Sequence, residues 1–173
     1  QIAAVPDAVV PADIDETPLE RELPRPYAER MAREKAEKVA GTHPQALVLA
    51  ADTVVSLGKR ILGKAEDEAS AVHFLQMLSG RRHSVSTGIA LYVPGEAKVL
   101  VKSVTSVVAF KRLSVDDIRT YIDSGEWHGK AGGYAIQGRG ARFVRFMSGS
   151  YSGVVGLPLF EVGNWLSTHA GLK

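Results

Sequence analysis

The sequence predicts a mixed α/β fold in which long antiparallel strands are prominent, and three observations lead there. Two runs rich in Val, Thr and Ile, 83–93 and 97–110, are joined by Pro94-Gly95-Glu96, a hairpin signal. A third run, 46–57, is apolar or β-branched at nearly every position. Helical patterns at about 26–40, 66–78 and 158–170 alternate with these strands.

In chain order, residues 5–10 (VPDAVV) predict a short strand, followed by the acidic turn PADIDET. The first helix runs from Pro26 to Ala40, with Pro at its first position and Gly41 as its stop. At about 100° per residue, Tyr27, Ala28, Met31, Ala32 and Val39 share one arc, while Arg30, Arg33, Glu34 and Glu37 lie outside it. Lys35 sits at the centre of that apolar arc, where a lysine either snorkels to water or has something to neutralise. The central strand, 46–57, carries Asp52 in its middle and ends at a Gly58-Lys59 turn. A helix over 66–78 is closed by Ser79-Gly80, and Ser114-Val-Asp-Asp117 is a capping box opening a short helix to Asp123, stopped by Gly125. The stretch GKAGGYAIQGRG, 129–140, is too rich in glycine to be one regular element and lets the backbone come close to a ligand. Residues 142–147 predict another strand, and GSYSGVVGLP leads into the last helix. Without repeats, low-complexity tracts or a linker, residues 1–173 read as a single domain.

Bulk composition narrows the function classes. A net charge of +2 with scattered basic residues gives no electrostatic footprint for nucleic acid; the clusters Arg81-Arg82-His83 and Arg139, Arg142, Arg145 are too small for a groove. The absence of cysteine removes disulfides, thiolate metal sites and a cysteine nucleophile, and suits the cytoplasm. No apolar stretch approaches the roughly 20 residues that cross a bilayer, and no membrane partner is expected.

A carboxylate inside an apolar strand is costly unless it is paired, hydrogen-bonded or bound to metal. Asp52 has company: Asp13, Asp15 and Glu16 form an acidic cluster, and oxygen-rich sets of this kind suit Mg²⁺ or Mn²⁺. Lys35, Lys64 and Lys130, beside the glycine-rich stretch, are candidate phosphate contacts. Together these features describe a site for nucleotide phosphates and a hard metal. Competing chemistries lack their signatures. The five histidines have no HxxH or HExxH spacing, the glycine-rich stretch is neither a Walker A loop nor GxGxxG after a strand, and GxSxG is absent.

Six motifs in order carry a family resemblance: ADIDE (12–16), REKA (33–36), AADTVV (50–55), LSGRRHSVSTG (78–88), GKAGGYAIQG (129–138) and GSYSGVVGLP (149–158). Together they closely resemble the Maf family of nucleoside triphosphate pyrophosphatases, related in fold to the inosine triphosphate pyrophosphatases. The resemblance covers nearly all the chain. It implies an elongated mixed sheet flanked by helices, two lobes with a central cleft, and hydrolysis of a nucleoside triphosphate to the monophosphate and pyrophosphate with a divalent metal. By the same resemblance Asp52 falls on the catalytic position as general base and metal ligand, Glu16 joins it at the metal, and Lys35, Lys64 and Gln137 fall on substrate-binding positions. Thr53 and Gln137 resemble the subgroup acting on dTTP and UTP, which extends the expectation to modified pyrimidine nucleotides. The expected partners are the nucleoside triphosphate and a second copy of the chain in a homodimer. A different role attached to the family, nucleotide-dependent regulation of septum formation or cell division, is the alternative. Members of the family begin with a strand and an S-x-S-x-R-R phosphate loop; Gln1-Ile2 corresponds to a point just after it, so that segment is expected to lie outside these 173 residues.

Overall fold

The computed structural model describes residues 5–96, 99–169 and 171. Helix α1 (Pro24–Thr42) is followed by β1 (Val48–Leu57), β2 (Arg60–Leu62), α2 (Glu68–Leu78), β3 (Arg82–Tyr92), β4 (Leu100–Phe110) and α3 (Val115–Asp123). A 3₁₀ turn (Gly138–Phe143), β5 (Val144–Ser148), α4 (Tyr151–Val155) and α5 (Leu159–His169) complete it. The five strands form one sheet in the order β2-β1-β3-β4-β5. Every pairing in it is antiparallel, so neighbouring strands alternate in direction, and with helices on its flanks the fold is the expected mixed α/β type.

Local chemistry sets the element ends. Asp67 caps α2 by accepting from the Ser70 N–H at 2.8 Å, while the Ser70 hydroxyl accepts from the Asp67 N–H at 3.1 Å. Ser114 and Asp117 make the same reciprocal box for α3. Helix α1 starts two residues earlier than expected, because Pro24 as well as Pro26 fits its first turn. It buries Ala28, Ala32, Ala36 and Ala40, one alanine per turn, and this flat face lies on β1 and β3.

Two strands differ from expectation, and two short elements are new. Residues 5–10 form no strand: Pro6 lacks an N–H, and Val5 and Val9 are about nine-tenths exposed with no ladder partner among the described residues. The strand expected at 142–147 is β5, Val144–Ser148, because Arg142 and Phe143 belong to the 3₁₀ turn. The short β2 and α4 were not foreseen. A turn with Gly58 at φ +61° folds β2 back on β1, and α4 is one turn or so capped by the Ser150 hydroxyl. Residues 97 and 98, expected to begin β4, and 170, expected to end the last helix, lie outside the described residues.

A polar belt crosses the sheet. Asp52, Gly88 and Ser103 are aligned across β1, β3 and β4, with Thr53 opposite Thr87 and Ser86 opposite Thr105 beside them. On one side of the belt lies the main apolar cluster, where Val55, Val85 and Val108 meet Leu75 of α2, Tyr121 of α3 and Tyr134. On the other lie Ala32 and Ala36 of α1 against Val48 and Ala90, and Val162 and Leu166 of α5 against Ile89 and Leu91. The belt therefore separates two apolar lobes, and its buried hydroxyls at Ser86, Thr87 and Ser103 are tolerated because each is hydrogen-bonded.

Candidate active site

Strand alternation gives β1 two working faces. Val54 packs on Tyr27, Ala28 and Met31 of α1, so Asp52, two residues away, faces the same helix, and Thr53 faces the opposite side. Gly88 pairs with Asp52 across the ladder, and a Cβ there would lie 2.1 Å from the Ala28 carbonyl oxygen. Glycine is what lets α1 lie against the sheet at this level. Farther along the helix, Lys35 reaches Asp52, with Nζ 2.6 Å from Oδ1, and also meets Glu16 Oε1 at 2.8 Å. The second oxygen of Glu16 accepts from Lys64 Nζ at 2.5 Å. The Tyr27 hydroxyl donates to the Glu16 carbonyl oxygen at 2.8 Å and holds this extended segment against α1.

The two carboxylates titrate in opposite directions. Burial raises the proton affinity of Asp52, and its single, shared lysine does not offset that cost. Burial also pushes Glu16 up, but hydrogen bonds from Lys35 and Lys64 outweigh it and hold Glu16 below the ordinary range. For Lys35 burial pulls downward, and the hydrogen bonds and charges of Asp52 and Glu16 prevail, so it stays cationic. A carboxylate pushed up beside one held down is the pattern of a proton acceptor next to a permanent anion.

A cavity of about 260 Å³ opens on the same belt, lined among others by Asp52, Thr53, Lys64, Tyr134, Ile136 and Gln137. Its roof is the glycine-rich segment. Ala131 bridges to Lys64, and the Gly132 N–H donates to the carbonyl oxygens of Leu62 and Gly63. Gly132, at φ +66°, lies so close to Val55 that a Cβ would sit 2.8 Å from its side chain. Beyond Gln137 the chain is pinned by Glu126, whose Oε2 accepts from the Arg139 N–H at 2.8 Å. Val154 and Val155 of α4 close the other wall. Beneath Tyr134, the buried His83 bonds its hydroxyl at 2.7 Å through Nε2, and burial pushes His83 down to about 4.

Of the residues singled out in the sequence, Asp52, Glu16, Lys35 and Lys64 thus form one ion-paired group, and Asp52 and Lys64 share the cavity with Thr53, Gln137 and Lys130. The acidic cluster is corrected. Asp15 turns away to accept from the Thr17 N–H at 2.9 Å, Asp13 is exposed, and only Glu16 reaches the site. Among the described residues no three His, Cys, Asp or Glu side chains converge on a metal position. The pair that does converge fits a hard cation: Asp52 and Glu16 each present an oxygen to one point, which the Lys35 ammonium fills. Mg²⁺ is commonly held by one or two carboxylates together with substrate phosphates and water. Three residues escaped the sequence reading. Val154 and Val155 carry no chemical signal. Thr87 does carry one, since it interrupts the apolar alternation of β3 much as Asp52 interrupts β1.

Known proteins match this sequence over nearly all of its length. A dTTP/UTP pyrophosphatase from Rhodospirillum rubrum is 60% identical over 167 residues, 96% of this chain and 79% of the relative. A dTTP/UTP pyrophosphatase from Paramagnetospirillum magneticum is 58% identical over 96% of this chain and 87% of its own. A nucleoside triphosphate pyrophosphatase from Anaplasma phagocytophilum is 54% identical over 93% of this chain and 83% of its own. The family model for Maf-like protein spans residues 1–169, taking in both the ion-paired group and the cavity, and the chain belongs to that family.

Proposed function

We propose that this chain is a cytoplasmic nucleoside triphosphate pyrophosphatase that hydrolyses dTTP and UTP, and modified pyrimidine nucleotides of the same shape, to the monophosphate and pyrophosphate. The observation that carries the reading is Asp52, a part-buried carboxylate of raised proton affinity at the junction of a cationic cluster and a base-sized cavity. Water attacks the α-phosphorus, its proton passes to Asp52, and pyrophosphate leaves. Lys64 lies where it can exchange its contact with Glu16 for a phosphate oxygen, and Lys35 keeps its charge beside Asp52. Asp52 and Glu16 would hold Mg²⁺ or Mn²⁺, which supplies charge neutralisation at the phosphates and orientation of the water. Thr53 and Gln137 take the base side of the cavity.

The names of the relatives support the reaction and the pyrimidine preference. Nothing in the site favours the alternative, a regulator without hydrolysis, because the proton-accepting carboxylate and both lysines are in place. The test is pyrophosphate release from a panel of nucleoside triphosphates with Mg²⁺ or Mn²⁺. Turnover of dTTP and UTP above the purine nucleotides is expected; nucleotide binding without release from any of them would overturn the reading.

A further inference from the structure

Thr53 meets the cavity from the face of β1 opposite Asp52, and its hydroxyl does not act alone. Its Oγ1 lies 2.8 Å from Oγ1 of Thr87, its ladder partner on β3. Oγ1 of Thr87 in turn lies 2.6 Å from the carbonyl oxygen of Gly153 in α4. A carbonyl oxygen only accepts, and a hydroxyl has one proton. The Thr87 proton is therefore committed to Gly153, whose oxygen also accepts the Gly156 N–H at 3.1 Å. Thr87 is fully buried, so no water can supply another arrangement. The Thr53 proton must then point at Thr87, and only its lone pairs are left to face the cavity.

We infer that Thr87 is a positioning residue for base selection: through the Thr53–Thr87–Gly153 chain it presents Thr53 to the nucleotide as a hydrogen-bond acceptor. This rests on the reading of the cavity as a pyrimidine nucleotide site and gives that reading a polarity. Uracil and thymine carry a proton on ring N3 and satisfy an acceptor there. Cytosine has a lone pair at N3, and two lone pairs would face each other with no proton between them. The same chain ties α4, and with it Val154 and Val155, to the strand that carries Asp52.

The experiment measures equilibrium binding of UMP, CMP and N3-methyl-UMP to the full chain, its Thr87→Val variant and its Thr87→Ser variant, with pyrophosphate release from UTP and CTP followed separately. The unaltered chain should bind UMP at least about tenfold more tightly than either of the other two. Valine fills the space of Thr87 but frees the Thr53 proton to turn towards the ligand, so the preference for UMP over CMP should collapse to within about threefold. Serine restores the hydroxyl and should restore the preference. A folded Thr87→Val protein that keeps the full preference, or that loses affinity for both nucleotides by the same factor, overturns the inference. Should valine prevent folding, the unaltered chain decides: preference for UMP over both competitors sustains the acceptor assignment, and equal binding of UMP and CMP overturns it. The expected binding ratios without pyrophosphate release would leave the hydrogen-bond chain standing and sink the hydrolytic reading, while release with an unmoved ratio would do the reverse.

Discussion

Asp52 and Gly88 face each other across the β1–β3 ladder, and the missing side chain of Gly88 is the space in which the backbone of α1 lies at Ala28. The position of the helix, and so the reach of Lys35 to Asp52, depends on that space. In Gly88→Ala the new methyl would meet backbone rather than a flexible side-chain tip, so α1 must move away from the sheet. Overpacking of this kind costs about 1–3 kcal/mol or more. A lowered urea midpoint should accompany weakened turnover, and an unchanged midpoint would show that α1 shifts without penalty.

Replacing Asp52 by Asn keeps the shape and removes the charge that accepts a proton. Turnover should fall about 10²–10⁴-fold, the usual worth of a general base, while nucleotide binding and the unfolding midpoint change little. Retention of more than about a tenth of kcat would end the assignment of Asp52 as base.

Lys35 opposes the rise in Asp52 proton affinity caused by burial. Lys35→Met keeps the helix face apolar and removes the cation, so Asp52 should hold its proton to higher pH. Because the base must be ionised to act, the acid limb of the kcat/KM profile should move to higher pH. A limb that stays in place would mean that another group sets it.

The strands, the helices, Asp52 and Lys35 were legible in the sequence because their signals are local: periodicity, capping boxes, a carboxylate in an apolar strand and a lysine on an apolar arc. Thr53, Gln137 and the metal role of Glu16 came only through the family resemblance. What escaped depends on tertiary partners. The acids at 13, 15 and 16 look equivalent in the chain, yet only Glu16 faces Lys35 and Lys64, because the Tyr27 hydroxyl fixes the backbone at that one residue. Residues 5–10 have strand-like composition, but β-structure needs a neighbouring strand, and none lies beside them among the described residues. The approach of α4 to Thr87 is long-range, and no pattern in GSYSGVVGLP announces it.

His83 makes a stability prediction with a defined sign. In the folded chain burial lowers its pKa from 6.5 to about 4, so the unfolded chain binds a proton that the folded one refuses. Its contribution to stability is present in full above pH 6.5 and is lost as pH falls from 6.5 towards 4, by about 3 kcal/mol across that range. Urea midpoints at pH 7 and pH 4.5 should show the fall, and His83→Gln, which can still bond the Tyr134 hydroxyl, should flatten it. Equal pH slopes in the two proteins would assign the loss to other groups.

Gln137 lies on the base side of the proposed nucleotide site. It stands at the rim of the cavity just before the 3₁₀ turn, and its side chain makes no capping hydrogen bond to that turn, so the amide remains available to a ligand. Glu126 holds the next stretch of chain through the Arg139 N–H, which fixes where Gln137 sits without engaging its side chain. A pyrimidine such as uracil offers carbonyl oxygens and an imide N–H on one edge, and the Gln137 amide can donate to a carbonyl oxygen while Thr53 accepts from the N–H. Gln137→Glu keeps the size, loses the donor and brings a negative charge towards the carbonyl oxygens. The value of kcat/KM for dTTP and UTP should fall at least about tenfold, with a smaller loss, or a gain, for GTP, whose ring edge offers N–H donors. Thr53 would still accept from N3–H in this variant, so UMP should keep its advantage over CMP even as both weaken. Equal losses across dTTP, UTP and GTP would move Gln137 from base recognition to the folding of the glycine-rich roof.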